Sequence, residues 1–188
     1  MKDLNLFPQK DGVQLAKITS KRDLNPNNQP EGYLITSSES EARRIIASLR
    51  DSKFKGVIAL KGSDDAFNRR AIETLKIDYL ILPTGINLKD TLKQRDSGLN
   101  HVVAKEAVRK GISLVIPMNE ISDLTGKNKS LALSKAIQNI KICRKAKCKL
   151  KIASLANNPK KVISEIGRKS FGISLGMDSH MSRDAAVF

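Results

Sequence analysis

Histidine and cysteine are scarce in this 188-residue chain: His101, His180, Cys143 and Cys148 are its whole supply. Multinuclear metal hydrolases draw on several histidines. Where a barrel enzyme of that kind would carry His-x-His on its first strand, this sequence reads Asp3-Leu4-Asn5. A magnesium site built from carboxylates alone would need a cluster of acids at strand ends, and the sequence shows none. On one helix the two cysteines, five residues apart, would be turned about 140° from each other and poorly placed to share a metal. They form no Cys-x-x-Cys motif and read as two plain intracellular thiols. Thr125-Gly126-Lys127-Asn128 has the glycine and lysine of a phosphate-cradling loop but not the Ser or Thr that must follow the lysine. Ile121 stands where that pattern needs its first glycine. Lys61-Gly62-Ser63 has the wrong order, and no Gly-x-Gly-x-x-Gly, Gly-x-Ser-x-Gly or His-Glu-x-x-His occurs. No catalytic residue, protein-bound metal or cofactor is expected.

Charge is the positive signal. The net is +15, and its distribution is uneven: residues 121–188 hold 14 Lys+Arg against 4 Asp+Glu, two thirds of the excess. Such an asymmetry suits a polyanion, because each neutralised phosphate releases counterions. The alternative is a lysine-rich surface that only favours solubility. Aromatic residues make up 4% and tryptophan is absent, so contact through backbone phosphates fits better than base stacking. With 40% hydrophobic residues the chain can bury a core. No apolar run of about eighteen residues suggests a membrane span, and the N-terminus lacks the apolar core of a secretory signal. A cytoplasmic location is expected.

Elements able to position such residues are legible in the hydrophobic pattern. Short Val/Ile/Leu runs at 3–7, 33–36, 56–60, 78–82, 113–117 and 150–154, and more weakly 172–175, read as strands buried on both faces. Amphipathic stretches near 39–50, 65–76, 97–110, 130–147 and 159–169 read as helices, with a loop over 21–32. This βα alternation predicts one domain over 1–188, with a parallel sheet either doubly wound or closed as a barrel. Ser38 and the acids of Gly62-Ser63-Asp64-Asp65 suit helix starts, and Gly111 suits a helix end. In 130–147 the residues Leu133, Ala136, Ile137, Ile140 and Cys143 form the expected buried stripe, which puts Lys135, Lys141, Arg144 and Lys145 on the other faces. The basic run continues through Lys147, Lys149 and Lys151. Strand alternation places Lys149 and Lys151 opposite Leu150 and Ile152.

The most specific stretch is Gln94-Arg95-Asp96-Ser97-Gly98-Leu99-Asn100-His101-Val102-Val103-Ala104-Lys105. It resembles the signature of the ribonuclease P protein component 3 family (the archaeal and eukaryotic thirty-kilodalton-subunit type), whose members read like R-D-S-G-[IL]-N-H-V-L-A-K. The resemblance is strongest over residues 77–156. It implies a TIM-barrel-like α/β fold of about seven parallel strands, a relative of phosphoesterase barrels without their metal site. It also implies an RNA-binding subunit of ribonuclease P, the particle whose RNA removes the 5′ leader from precursor tRNA. Implied partners are ribonuclease P RNA, ribonuclease P protein component 2, other particle proteins and, indirectly, precursor tRNA, with magnesium serving the RNA. A small metal-dependent phosphoesterase and a general accessory protein for structured RNA are the alternatives.

Arg95 before a helix start could clamp a phosphate, or pair with Asp96 or another carboxylate. Lys93, Lys105, Arg144, Lys149 and Lys151 join it as candidate phosphate contacts. Asp96 or Ser97 is expected to cap the helix, Gly98 to allow close approach, and Asn100 to fall one turn in. His101, three and seven residues before Ala104 and Val108, is expected to be buried and hydrogen-bonded. Lys127 and Lys129 offer a second anion site at a helix start, or lie in a solvated loop. The sequence departs from the family twice: it has Lys127-Asn128-Lys129-Ser130 where relatives begin the long helix with arginines, and Ser154-Leu155-Ala156 where relatives read Ser-Gly-Ala.

Overall fold

The computed structural model describes residues 3–8, 12–24, 30–90 and 96–188. Lys93 and Arg95 therefore lie outside the described residues. Seven strands pair in sequence order, every pair parallel: β1 (Leu4–Asn5), β2 (Val13–Ile18), β3 (Gly32–Ile35), β4 (Val57–Lys61), β5 (Tyr79–Ile81), β6 (Ser113–Pro117) and β7 (Leu150–Ala153). The chain after β7 returns to β1. Leu155 N–H donates to the Leu4 carbonyl (2.9 Å), and Leu6 N–H donates to the Ala156 carbonyl (2.7 Å). The sheet thus curls into a TIM-barrel-like ring, the fold that the resemblance implied.

Strand alternation builds two cores. Leu4, Leu15, Leu34, Ala59, Ile81, Val115 and Ala153 fill the barrel interior. Their neighbours Tyr33, Ile58, Leu60, Leu80, Leu114, Ile116, Leu150 and Ile152 face outward against the helices. Both faces are buried, so a slip of one residue would exchange two apolar sets of different size. The covering helices are α1 (Glu39–Asp51), α2 (Asp65–Thr74), α3 (His101–Lys110), the short α4 (Met118–Ser122), α5 (Gly126–Ala146), α6 (Glu165–Ser174) and α7 (Ser179–Ala185). Among the described residues no helix is long and apolar enough to cross a membrane.

Local chemistry sets most boundaries. Ser38 accepts from Glu41 N–H at the start of α1, and Asp64 accepts from Phe67 N–H at the start of α2. Gly111 ends α3 in the left-handed region, donating to Val108 while Ile112 donates to Ala107, the paired bonds of a Schellman motif. Lys147 closes α5 in the same way at φ +58, with Cys148 N–H donating to the Cys143 carbonyl (3.1 Å). The cysteines are therefore not splayed on one helix. The reversal brings them side by side as free thiols. Hydrogen-bonded to Cys148 and buried, the Cys143 thiol is pushed well above its usual range, while the bond from Cys143 lowers that of Cys148.

Three expectations about elements are corrected. The run at 172–175 is not a strand: Ser164 caps α6 by accepting from Gly167 N–H, and Gly172 lies where the helix packs against Ile152 of β7. The seventh strand is instead β2, whose polar Gln14 and Lys17 hid it. Helix α3 begins at His101 rather than near 97, and α5 begins at Gly126, four residues earlier than expected.

Candidate functional site

The signature residues form a knot in the connection from β5 to α3, at the C-terminal end of the barrel strands. Asn100, not Asp96 or Ser97, caps α3: its Oδ1 accepts from Val102 and Val103 N–H (2.9 Å each), and its Nδ2 donates to Asp65 Oδ2 (2.9 Å). Asp96 Oδ1 accepts from Gly98 N–H (2.9 Å) and so closes a tight turn. Ser97 is buried and donates to the Leu99 carbonyl (3.3 Å). Gly98 has φ +72, and a Cβ there would lie 2.5 Å from the Ser63 carbonyl oxygen. Its own carbonyl accepts from the buried Asn68 Nδ2 (2.6 Å), which also donates to the Ser63 carbonyl (3.0 Å). Each polar group is matched because burial without a partner costs about 1–3 kcal/mol.

Within α3, Val103, Ala104 and Ala107 face the core. His101 is exposed, contrary to expectation, as are Val108 and Lys105. His101 and Val102 line a shallow groove of about 640 Å³ with Lys141, Ile142 and Lys145 of α5.

Lys135 overturns a second expectation. It is 1% exposed, and its Nζ donates to the carbonyls of Gly85 (2.7 Å) and Leu88 (3.2 Å) and pairs with Asp90 Oδ1 (2.8 Å). Asp90 Oδ1 also accepts from Asp96 N–H (3.0 Å), so one lysine ties α5 to both flanks of the segment between Asp90 and Asp96. Gly85, at φ +78, leaves room for the Lys135 stem, which a Cβ would strike. The buried stripe of α5 is Ala132, Lys135, Ala136, Asn139, Ile140 and Cys143. Two polar members disguised it. The alanines at 132 and 136, which are small enough for close approach, were the available signal.

Polar groups on β1 close the ring. Asp3 Oδ1 accepts from Leu4 N–H (2.9 Å) and Ser154 N–H (3.1 Å), and Asp3 pairs with the buried Arg168 (2.9 Å). Asn5 Oδ1 accepts from Ala156 N–H (3.1 Å). At the end of β4, Lys61 is bonded to Glu120. Among the described residues no group of three His, Cys, Asp or Glu is placed to hold a metal. Leu155 stands at φ +47, a conformation that suits the glycine of the relatives. Its side chain joins the interior cluster. Burial of about 1.5–3 kcal/mol there offsets left-handed strain of about 1–2 kcal/mol.

The remaining candidate cations divide between the two ends of the barrel. Lys127 is exposed in the first turn of α5, and Lys129 Nζ donates to the Ser122 carbonyl (3.0 Å). Arg144, Lys149 and Lys151 gather at the opposite end, where β7 begins. Arg144 donates to the Gly176 carbonyl. Lys151 points inward and donates to the carbonyls of Asp184 and Val187 (2.7 Å each), and its burial lowers its pKa. Lys149 is exposed, and its ammonium makes no hydrogen bond or ion pair among the described residues.

A ring of seven parallel strands whose strand-end polar groups bond mainly to the chain's own backbone and ion pairs defines a TIM-barrel-like protein. A. niger ochratoxinase shares this fold at TM-score 0.55 and 14% identity, over 84% of this chain and 38% of that one. More particularly, the chain belongs to the family described as RNase P subunit p30, whose model matches residues 33–187. It is similar to ribonuclease P protein component 3 of Methanosarcina mazei, 25% identical over 93% of this chain and 72% of that protein. The same protein of Methanothermobacter thermautotrophicus is 28% identical over 68% of this chain and 49% of its own length, so the chain spans about half of that relative. A chain from the cryo-EM structure of archaeal ribonuclease P with mature tRNA shares the fold at TM-score 0.75 and 17% identity, over 98% of this chain and 86% of that one.

Proposed function

We propose that this chain is an RNA-binding protein subunit of ribonuclease P that supports RNA-catalysed removal of the 5′ leader from precursor tRNA and supplies no catalytic group. The family match over residues 33–187 carries this reading. The +15 charge supports an RNA partner, and the two histidines and the engaged Asp3 and Asn5 argue against a hydrolase mouth. The partners in this reading are ribonuclease P RNA, ribonuclease P protein component 2 and the other particle proteins, with magnesium serving the RNA and the cytoplasm as the site of action. Arg95, Lys93, Lys105, Lys127 and Lys149 are the candidate phosphate contacts. Lys129, Arg144 and Lys151 are already engaged with backbone carbonyls and are more constrained ones.

Reconstitution of precursor-tRNA cleavage from the cognate RNA and particle proteins, with and without this chain, tests the reading. Addition of the chain should raise cleavage at limiting magnesium. No change on addition would sink it. So would metal-stimulated hydrolysis by the chain alone that disappears on substitution of His101 or His180.

A further inference from the structure

A cleft of about 1170 Å³ lies at the N-terminal end of β7, between the end of α5, α6 and α7. We propose that this cleft is an RNA-backbone-binding surface, with Lys147, Lys149, Lys169 and Arg183 contacting successive phosphates of structured RNA. The proposal rests on the reading of the chain as a ribonuclease P subunit, and it names where that subunit meets RNA.

Charge and its lack of internal partners argue for it. On α1, α2 and α3, arginines are neutralised by neighbouring acids: Arg43 with Glu39, Arg69 with Glu73, Arg109 with Glu106. Around the cleft, the four named cations hold no ion pair among the described residues, and Arg144 and Lys151 also line it. Three acids share the lining: Glu165, Asp178 and Asp184. Two of these are committed. Asp178 caps α7 by accepting from Met181 N–H (2.8 Å), a bond that holds its carboxyl below the usual range, and Asp184 lies 3.4 Å from His180. The surface therefore keeps a net positive potential, and its concave form between low-dielectric walls concentrates that field.

The backbone that carries the two central lysines is rigid. Lys147 is locked in the left-handed turn that ends α5, and the Lys149 carbonyl accepts from Leu114 N–H (2.9 Å), with buried Cys148 and Leu150 on either side. Their ammonium groups thus project from a fixed base. Point charges on a fixed base, with no tryptophan, phenylalanine or tyrosine in the lining, suit phosphates tracked by position rather than bases read by stacking.

The test uses the full chain with the cognate ribonuclease P RNA, titrated over a range of salt. The K147E/K149E/R183E variant should bind at least about tenfold more weakly, with a log–log salt slope shallower by roughly 2–3, close to 0.9 for each lost contact. K147R/K149R should retain the wild-type slope. As a control, K53E/K55E/K76E makes the same charge change on exposed lysines elsewhere and should have the smaller effect. Melting temperature should be unchanged in all three. Equal affinity and slope for the wild type and the cleft reversal would overturn the proposal, as would equal losses for the cleft reversal and the control. Unaltered RNA binding combined with loss of assembly with the particle proteins would assign the cleft to an acidic protein partner and overturn it too. Because wild-type stimulation of cleavage is measured separately, failure at the cleft leaves the ribonuclease P reading standing. A wild-type chain without RNA affinity would overturn both.

Discussion

At the signature end of the barrel, Asp96, Ser97, Asn100, Asn68 and Lys135 are matched bond for bond with backbone groups and with one another. At the other end, Lys147, Lys149, Lys169 and Arg183 surround a cleft and hold no ion pairs among the described residues. The contrast separates what makes the chain recognisable from what makes it attractive to RNA. A knot of buried polar groups needs particular residues, because a donor without its acceptor, or a Cβ at Gly98, has no accommodating alternative. A basic surface needs only charge in roughly the right place, and lysine or arginine at several positions satisfies it.

Lys135→Met should have the largest effect, because it removes the pin of the signature end. It leaves two carbonyls and the Asp90 carboxylate without their cation. A loss of about 2–4 kcal/mol is expected, below the upper range for a broken buried pair because Asp90 is a third exposed and can rehydrate. Thermal melting of the free chain should show it as a fall of several degrees. Unchanged melting would mean that the knot is not what holds this end together.

Asn100→Ala removes the cap of α3 and the bond to Asp65, and should lower stability by about 1 kcal/mol. The RNA-binding salt slope of this variant should match wild type. A shallower slope would show that the signature end contacts phosphate directly and would blur the comparison. Lys149→Gln should do the reverse, with stability within about 0.5 kcal/mol of wild type and a salt slope reduced by about 0.9. A large drop in melting temperature for Lys149→Gln would show the cleft to be structural as well.

Strands β3, β4, β5, β6 and β7 were legible because both faces of each are buried, which demands near-continuous Val, Ile and Leu. β2 was not, since Lys17 is exposed near the end of the strand and needs no apolar neighbour. In the signature, Asp96, Ser97 and Asn100 are all competent caps. The choice among them fell to contacts with Asp65, Asn68 and Gln138 on other helices, which no local pattern encodes.

The sequence by itself determined the βα alternation, the caps at Ser38, Asp64 and Gly111, the shortage of metal-binding histidine and the concentration of charge after residue 120. Each of these depends on residue type or on neighbours within about one helical turn. The tertiary structure alone decided the fate of the polar side chains. Lys135 is buried because it meets the carbonyls of Gly85 and Leu88, 50 and 47 residues away. His101 is exposed because α3 packs through Val103, Ala104 and Ala107, a stripe that leaves its first residue to one side. Cys143 and Cys148 touch because α5 reverses at Lys147. A polar group is stable inside only where the fold supplies its partner, and that partner comes from elsewhere in the chain.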